Sequence, residues 1–266
     1  MVSANSWFFG TFPDQTNSAL DLKQGAGHTP PRGEGKIIVS INQPYWIPYL
    51  GYFALIASSD KFVVLDSVNF NRRSWVARNL LHIGDEPVWN SIPVQSASQN
   101  SRILDLKIEH SLRWKERTLR TLRHSFKATT INTPVFEMVE SWFSSEELGL
   151  STFLTRTLND ICLGTGIRAE IVPSDTLVLP EKHDFSGQER IIEICRRLGA
   201  NSYVNLPSGS NFYDEQVFDE SGISLSFLPE LRKETESGSA PFRSVLHHLL
   251  EVGFDGTAER IVQSMK

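Results

Sequence analysis

The chain has 266 residues, 40% hydrophobic and 21% charged, the make-up of a globular protein with room for a large core in one or two domains. Its formal charge of −5 speaks against general binding to nucleic acid or to an anionic membrane, which need a basic field, although basic residues gather locally between 102 and 127. The apolar runs fall far short of a membrane span, and residues 1–15 lack the basic start and apolar centre of a signal peptide, so a cytoplasmic protein without a membrane span is expected.

Residues 1–35 are rich in Gly, Pro, Ser, Thr and Asn without sustained periodicity and read as a flexible leader carrying one apolar patch, Trp7-Phe8-Phe9. Ile37–Ile41 and Phe62–Leu65 are continuous apolar runs, the pattern of strands covered on both faces. Between them Tyr52–Ser59 predicts a short helix, so the opening is a βαβ unit. Leu80–Ile83, a Gly84-Asp85 turn and Val88–Val94 predict a hairpin. Apolar residues at helical spacing (Leu112, Trp114, Leu119, Leu122, Phe126) predict a helix over 112–128, followed by helices over 134–144 and 148–164. Ala169–Pro173 reads as a strand, 188–198 as a helix stopped by Gly199, and Ser202–Asn205 as a short strand. Leu206–Asn211 reads as a loop, Asp214–Glu220 as a helix, Ile223–Phe227 as a strand, 232–239 as a mobile loop and Ala240–Val252 as a closing helix. Strands alternating with helices predict an α/β fold, a Rossmann-like, mostly parallel sheet. The expected organisation is a single domain over 36–266 with a helical insertion at about 105–165.

In parallel sheets ligands sit at the carboxyl ends of strands, which is where Gln43, Tyr45, Asp66 and Asn69 are expected. Pro44 and Pro48 fix φ at two positions of the loop after the first strand, and Gly51 permits close backbone approach. Asn42 and Gln43 are uncharged amides suited to hydroxyls, amides or phosphate. Of Tyr45, Trp46, Tyr49 and Tyr52, two or three are expected simply to pack the helix against the sheet. Asp66–Asn79 offers a carboxylate, three arginines (Arg72, Arg73, Arg78), three amides (Asn69, Asn71, Asn79) and Trp75, which could stack on a sugar or base. A solvated charged loop is the bland alternative, and for Arg72 and Arg73 taken alone it is the favoured one. The third cluster, Tyr203 to Asp214, ends a strand at Asn205 and opens a helix through small residues. By itself it reads as a plain turn, and without GK[ST] it is no Walker loop.

Cys162 and Cys195 sit among apolar residues, outside any CxxC pair, and read as buried thiols. No HExxH or GxSxG spacing occurs, and no metal or cofactor is expected.

The segments Asn42–Phe53, Asp60–Asp66 and Arg73–Asn79 resemble the WbqC-like protein family, and Tyr203-Val204-Asn205 with Gly209 and Tyr213-Asp214 is similar to its second motif. The resemblance covers roughly 36–252. It implies a bacterial protein associated with surface-polysaccharide (O-antigen or capsule) biosynthesis, plausibly transferring an acyl or aminoacyl group to a nucleotide-linked amino sugar. The matching positions imply a site drawn from Gln43, Pro44, Pro48, Gly51, Tyr52, Asp66, Trp75, Arg78, Asn79, Tyr203, Asn205, Gly209 and Tyr213, to which Tyr45, Asn69 and Arg73 are added from their place in the same loops. Ser67 and Asn69, Ser210 and His247 depart from the family pattern.

Two functions remain open. A transferase would use Asp66, the carboxylate among the first-motif positions, as its base, with Arg73 or Arg78 against a phosphate. A non-catalytic sugar- or nucleotide-binding or scaffold protein of the same pathway would need no base. The opening also resembles that of nucleotidyltransferases, but the loop has Gln and Pro where those have a histidine pair, which disfavours adenylyl transfer.

Overall fold

The computed structural model describes residues 35–83, 86–98, 100–109, 113–125, 132–144, 146–177, 187–230 and 243–265. The leader (except Gly35), the Gly84-Asp85 turn and the 232–239 segment lie outside them.

Five parallel strands form the main sheet: β1 (Ile38–Asn42), β2 (Lys61–Val64), β5 (Glu170–Pro173), β6 (Ser202–Asn205) and β7 (Ser224–Phe227). Their order across the sheet is β5-β2-β1-β6-β7. The chain therefore builds outward from β1 in one direction through β2 to β5, then returns past β1 and builds the other way through β6 to β7. Right-handed crossovers require the connecting helices to change face when the direction reverses. They do: α1 (Leu50–Ala57) and α4 (Leu150–Gly164) pack with Ile38, Phe62, Val64 and Val204, whereas α5 (Gly187–Arg197) and α6 (Glu215–Glu220) pack with Val39, Ile41, Val63, Tyr203 and Leu225. Alternate residues of each strand thus serve opposite cores, which is why β1 and β2 read as unbroken apolar runs.

Between β2 and β5 the chain inserts a hairpin, β3 (Arg78–Ile83) and β4 (Glu86–Ser91), and two further helices, α2 (Trp114–Ser125) and α3 (Thr133–Ser144), ahead of α4. Trp46 ties this insertion to the sheet. Its indole lies 6.4 Å from Trp114, 6.4 Å from Trp142, 6.2 Å from Phe143 and 5.7 Å from Phe153, centroid to centroid. Its Nε1 donates to Asn90 Oδ1 at 2.8 Å, and Asn90 donates onward to Thr118.

Two elements differ from the sequence reading. Leu206–Asn211, expected as a loop, is largely a 3-10 helix over Pro207–Phe212. The closing helix, α7 (Val245–Ser264), runs well past Val252 and is broken at Gly253, where φ is +72° and an added Cβ would lie 2.7 Å from Asn132 Nδ2. A glycine inside the periodic pattern reads as a stop; here the chain resumes the helix behind it.

On α7, His248 is buried, and its Nδ1 lies 2.9 Å from Arg260 Nη1, so the imidazole accepts from a guanidinium. Burial, and then the Arg260 charge, push its pKa down from the ordinary 6.5 to about 4. A base weakened by folding holds its proton better in the unfolded chain. The contribution of His248 to stability is complete above about pH 6.5 and is lost as pH falls toward 4. Chemical denaturation across pH 4–7 is expected to show stability falling with acid through this window, and His248→Gln is expected to flatten that slope.

Candidate functional site

The reversal of strand order falls between β1 and β6, which pair in parallel from Ile38↔Ser202 to Ser40↔Val204. Loops leaving neighbouring strands at such a point diverge to opposite faces and open a crevice at the carboxyl edge. A cavity of about 380 Å³ occupies it, lined by Asn42, Tyr45, Pro48 and Tyr49 after β1, Asn205, Leu206, Ser208, Gly209, Phe212 and Tyr213 after β6, and Trp75 and Asn79 from the segment before and into β3.

The β1 wall is held in an unusual shape. Ile47 has φ +39°, a conformation that a β-branched residue adopts only when its surroundings impose it. Asn79 Nδ2 donates to the Trp46 carbonyl at 2.9 Å and to the Ile47 carbonyl at 2.7 Å. Ser244 Oγ, at the start of α7, donates to the same Ile47 carbonyl at 2.7 Å. The main chain adds Trp46 N–H to the Trp75 carbonyl and Val245 N–H to the Pro48 carbonyl. Pro44 and Pro48 fix φ at two further positions of the loop.

Three asparagines share one local arrangement. Asn42, Asn79 and Asn205 each accept the next residue's N–H on Oδ1, at 2.8, 2.7 and 2.7 Å. This leaves their Nδ2 donors for other partners. Asn79 spends its donors on the Ile47 turn, whereas Asn42 Nδ2 has no acceptor among the described residues. Asn205 Nδ2 lies over Gly209, where an added Cβ would come within 2.6 Å of it, so a side chain at 209 would displace the amide. Tyr45 and Tyr49 are phenols whose pKa values burial raises, that of Tyr49 to about 12, and burial lifts Tyr203 behind the wall in the same direction. These hydroxyls stay protonated at neutral pH and can donate. The walls are aromatic: Trp75 is 39% and Phe212 77% exposed. None of the twelve lining residues carries a formal charge.

The cavity brings together Tyr45, Pro48, Trp75, Asn79, Asn205, Gly209 and Tyr213 from the expected site. Pro44, Gly51 and Tyr203 are absent from its lining, and six others stand apart from it. Tyr52 is fully buried in the core, with its hydroxyl on the Gln43 carbonyl at 2.7 Å, and the half-buried Gln43 meets it through its main chain. Asn69 is exposed and makes an isolated bridge to Arg102. Arg73 is exposed, and its carbonyl accepts from Arg78 Nη2 at 2.5 Å. The Arg78 guanidinium lies over the Trp89 ring, 4.3 Å from its centroid. Asp66 is 3% exposed, and its two oxygens accept from Ser151 Oγ at 2.5 Å and Ser174 Oγ at 2.6 Å. Ser151 belongs to α4 and Ser174 follows β5, so this carboxylate joins one helical layer to the edge of the sheet.

Sequence reasoning left out Tyr49, Leu206, Ser208 and Phe212 as lining residues. Asn42, read from the sequence as an amide suited to ligand recognition, does line the cavity, at a strand end just as Asn205 does. Ser244 and Asn90, which fix the wall from a distance, had no signal in the sequence.

Among the described residues no group of three His, Cys, Asp or Glu is placed to hold a metal ion, and no helix is long and apolar enough to cross a membrane. The model of the WbqC-like protein family matches residues 43–249. The chain belongs to that family. The match starts at the first residue of the β1 loop and ends within α7, so the WbqC-like region holds every lining residue but Asn42, together with Ser244. The uncharacterized protein Rv1507c of Mycobacterium tuberculosis is 28% identical over 220 residues, covering 81% of this chain and 94% of that one. No solved structure matches the chain.

Two substitutions separate the roles of these polar groups. Asn79→Ala removes both donors of the Ile47 turn and is expected to destabilise the protein by about 3 kcal/mol, with Asn79→Asp no better because a carboxylate cannot donate; urea unfolding measures both. Asp66→Asn is expected to fold, since either serine can rotate to accept from the amide, whereas Asp66→Ala leaves two hydroxyls without their acceptor and costs about 2–4 kcal/mol in the same assay.

Proposed function

We propose that this protein binds the sugar part of a nucleotide-linked amino sugar in the crevice between β1 and β6, as a cytoplasmic component of bacterial surface-polysaccharide biosynthesis. The observation that carries the reading is the make-up of the lining: amides and phenolic hydroxyls at the strand ends, aromatic rings on the walls, and no formal charge on any lining residue. A sugar ring offers a girdle of hydroxyls and flat C–H faces. Amides and phenols match the first and aromatic rings the second. The location at a topological switch point and the size of the cavity agree with a small-molecule site. Membership of the WbqC-like family supports the pathway.

Transfer of an acyl or aminoacyl group to the sugar amine is the finer version of this reading and rests on the family resemblance. The amine would attack the acyl carbonyl, lose its proton to a base and expel the donor's leaving group. Asp66 is the proposed base, but both its oxygens are engaged by serines, so we put binding first.

Thermal unfolding with a panel of nucleotide-linked amino sugars tests the reading. A ligand at about 100 times its Kd adds about 2.7 kcal/mol of stability, a readily measured upward shift. Asn205→Ala is expected to abolish the shift while retaining the fold. Mass spectrometry with acyl and aminoacyl donors then separates turnover from binding. If no member of the panel moves the unfolding midpoint of the unsubstituted chain, the proposal fails.

A further inference from the structure

Trp75 is both a wall of the cavity and half of an exposed indole pair. Trp89, on β4, is 51% exposed and lies 5.7 Å from Trp75 between centroids, with 34° between the planes. Arg78 completes the layer, its guanidinium 4.3 Å from the Trp89 centroid. That guanidinium is itself fixed, Nη2 donating to the Arg73 carbonyl, while its buried Nε has no acceptor among the described residues. Two neighbouring indoles on a surface are a large apolar area to leave in water, and here they continue directly from a cavity wall. The polar groups are unevenly divided. The cavity has the amides and hydroxyls that suit a sugar, whereas the indole pair offers π faces beside a cation. A ring with a π face and few hydroxyls fits the second surface; stacking on aromatic side chains is indifferent to base identity because every nucleobase has such a face.

We infer that Trp75 and Trp89, braced by Arg78, form a stacking shelf for the base of the ligand, so that a nucleoside-diphosphate sugar lies with its sugar in the crevice and its base on the indoles. The inference rests on the sugar-binding reading and adds where the nucleotide goes. Because Arg78 already holds Trp89, the shelf is formed before the ligand arrives and little side-chain freedom is lost on binding. The Arg78 cation, stacked over the Trp89 ring, suits the diphosphate that joins the two halves.

The full chain is titrated with UDP, GDP and dTDP, with their amino-sugar conjugates, and with free N-acetylglucosamine, following tryptophan emission and the heat of binding. Unsubstituted protein, Trp89→Ala and Trp89→Phe are compared, each checked for an unchanged unfolding midpoint in the absence of ligand. At least one diphosphate is expected to quench emission. Trp89→Ala is expected to weaken it and its conjugate about tenfold, Trp89→Phe to restore most of the loss, and the free sugar to bind all three proteins equally. Unchanged nucleotide affinity in Trp89→Ala overturns the shelf and leaves the sugar-binding cavity standing. So does a free sugar that binds when no diphosphate does. If neither sugars nor nucleotides bind the unsubstituted protein, the shelf and the cavity reading fall together.

Discussion

The left-handed turn at Ile47 is the constraint on which the site depends. A β-branched residue at φ +39° carries a conformational cost of about 1–3 kcal/mol, and the turn persists because its carbonyls are held from two directions at once. Asn79 reaches it from the start of β3 and Ser244 from the start of α7. The turn in turn sends Trp46 down into the aromatic cluster of the insertion and keeps Tyr45 and Tyr49 up on the cavity wall. One backbone distortion thus sorts four neighbouring aromatics into their places, with Tyr52 taken by the core.

Much of this architecture could be read from the chain. Continuous apolar runs marked β1 and β2, and helical spacing marked α2 to α5, because both patterns are local and set by which faces are covered. Strand order is not local. Nothing in the spacing of residues says that β6 rather than β2 forms the cavity with β1, so the expected site leaned toward the β1–β2 edge, with Gln43, Asp66 and Asn69 in it. Asp66 illustrates the gap. A carboxylate at a strand end reads as available, but its serine partners are 85 and 108 positions away and leave no trace in its neighbourhood. Gly209 and Asn205 entered the expected site through the family resemblance, because their segment by itself reads as a plain turn; that the Asn205 amide lies over Gly209 is seen only in the fold.

The repeated asparagine arrangement explains why amides, and not charged groups, furnish the crevice. An asparagine that closes a bond to the next N–H caps the strand end and still has two donor hydrogens to use elsewhere. In Asn79 these support the fold; in Asn42 they are left for whatever enters. The same short motif therefore does structural duty at Asn79 and, in the function proposed here, recognition at Asn42, and the difference lies in what stands opposite.

The bond from Ser244 to Ile47 spans 197 positions of the chain. During synthesis, at about 5–20 residues per second, the β1 loop waits some 10–40 s for the serine that holds it. Until then neither the twisted turn nor the wall it supports has its second anchor. A chain synthesised only as far as β7 thus has all five strands of the main sheet but not the second anchor of the crevice wall.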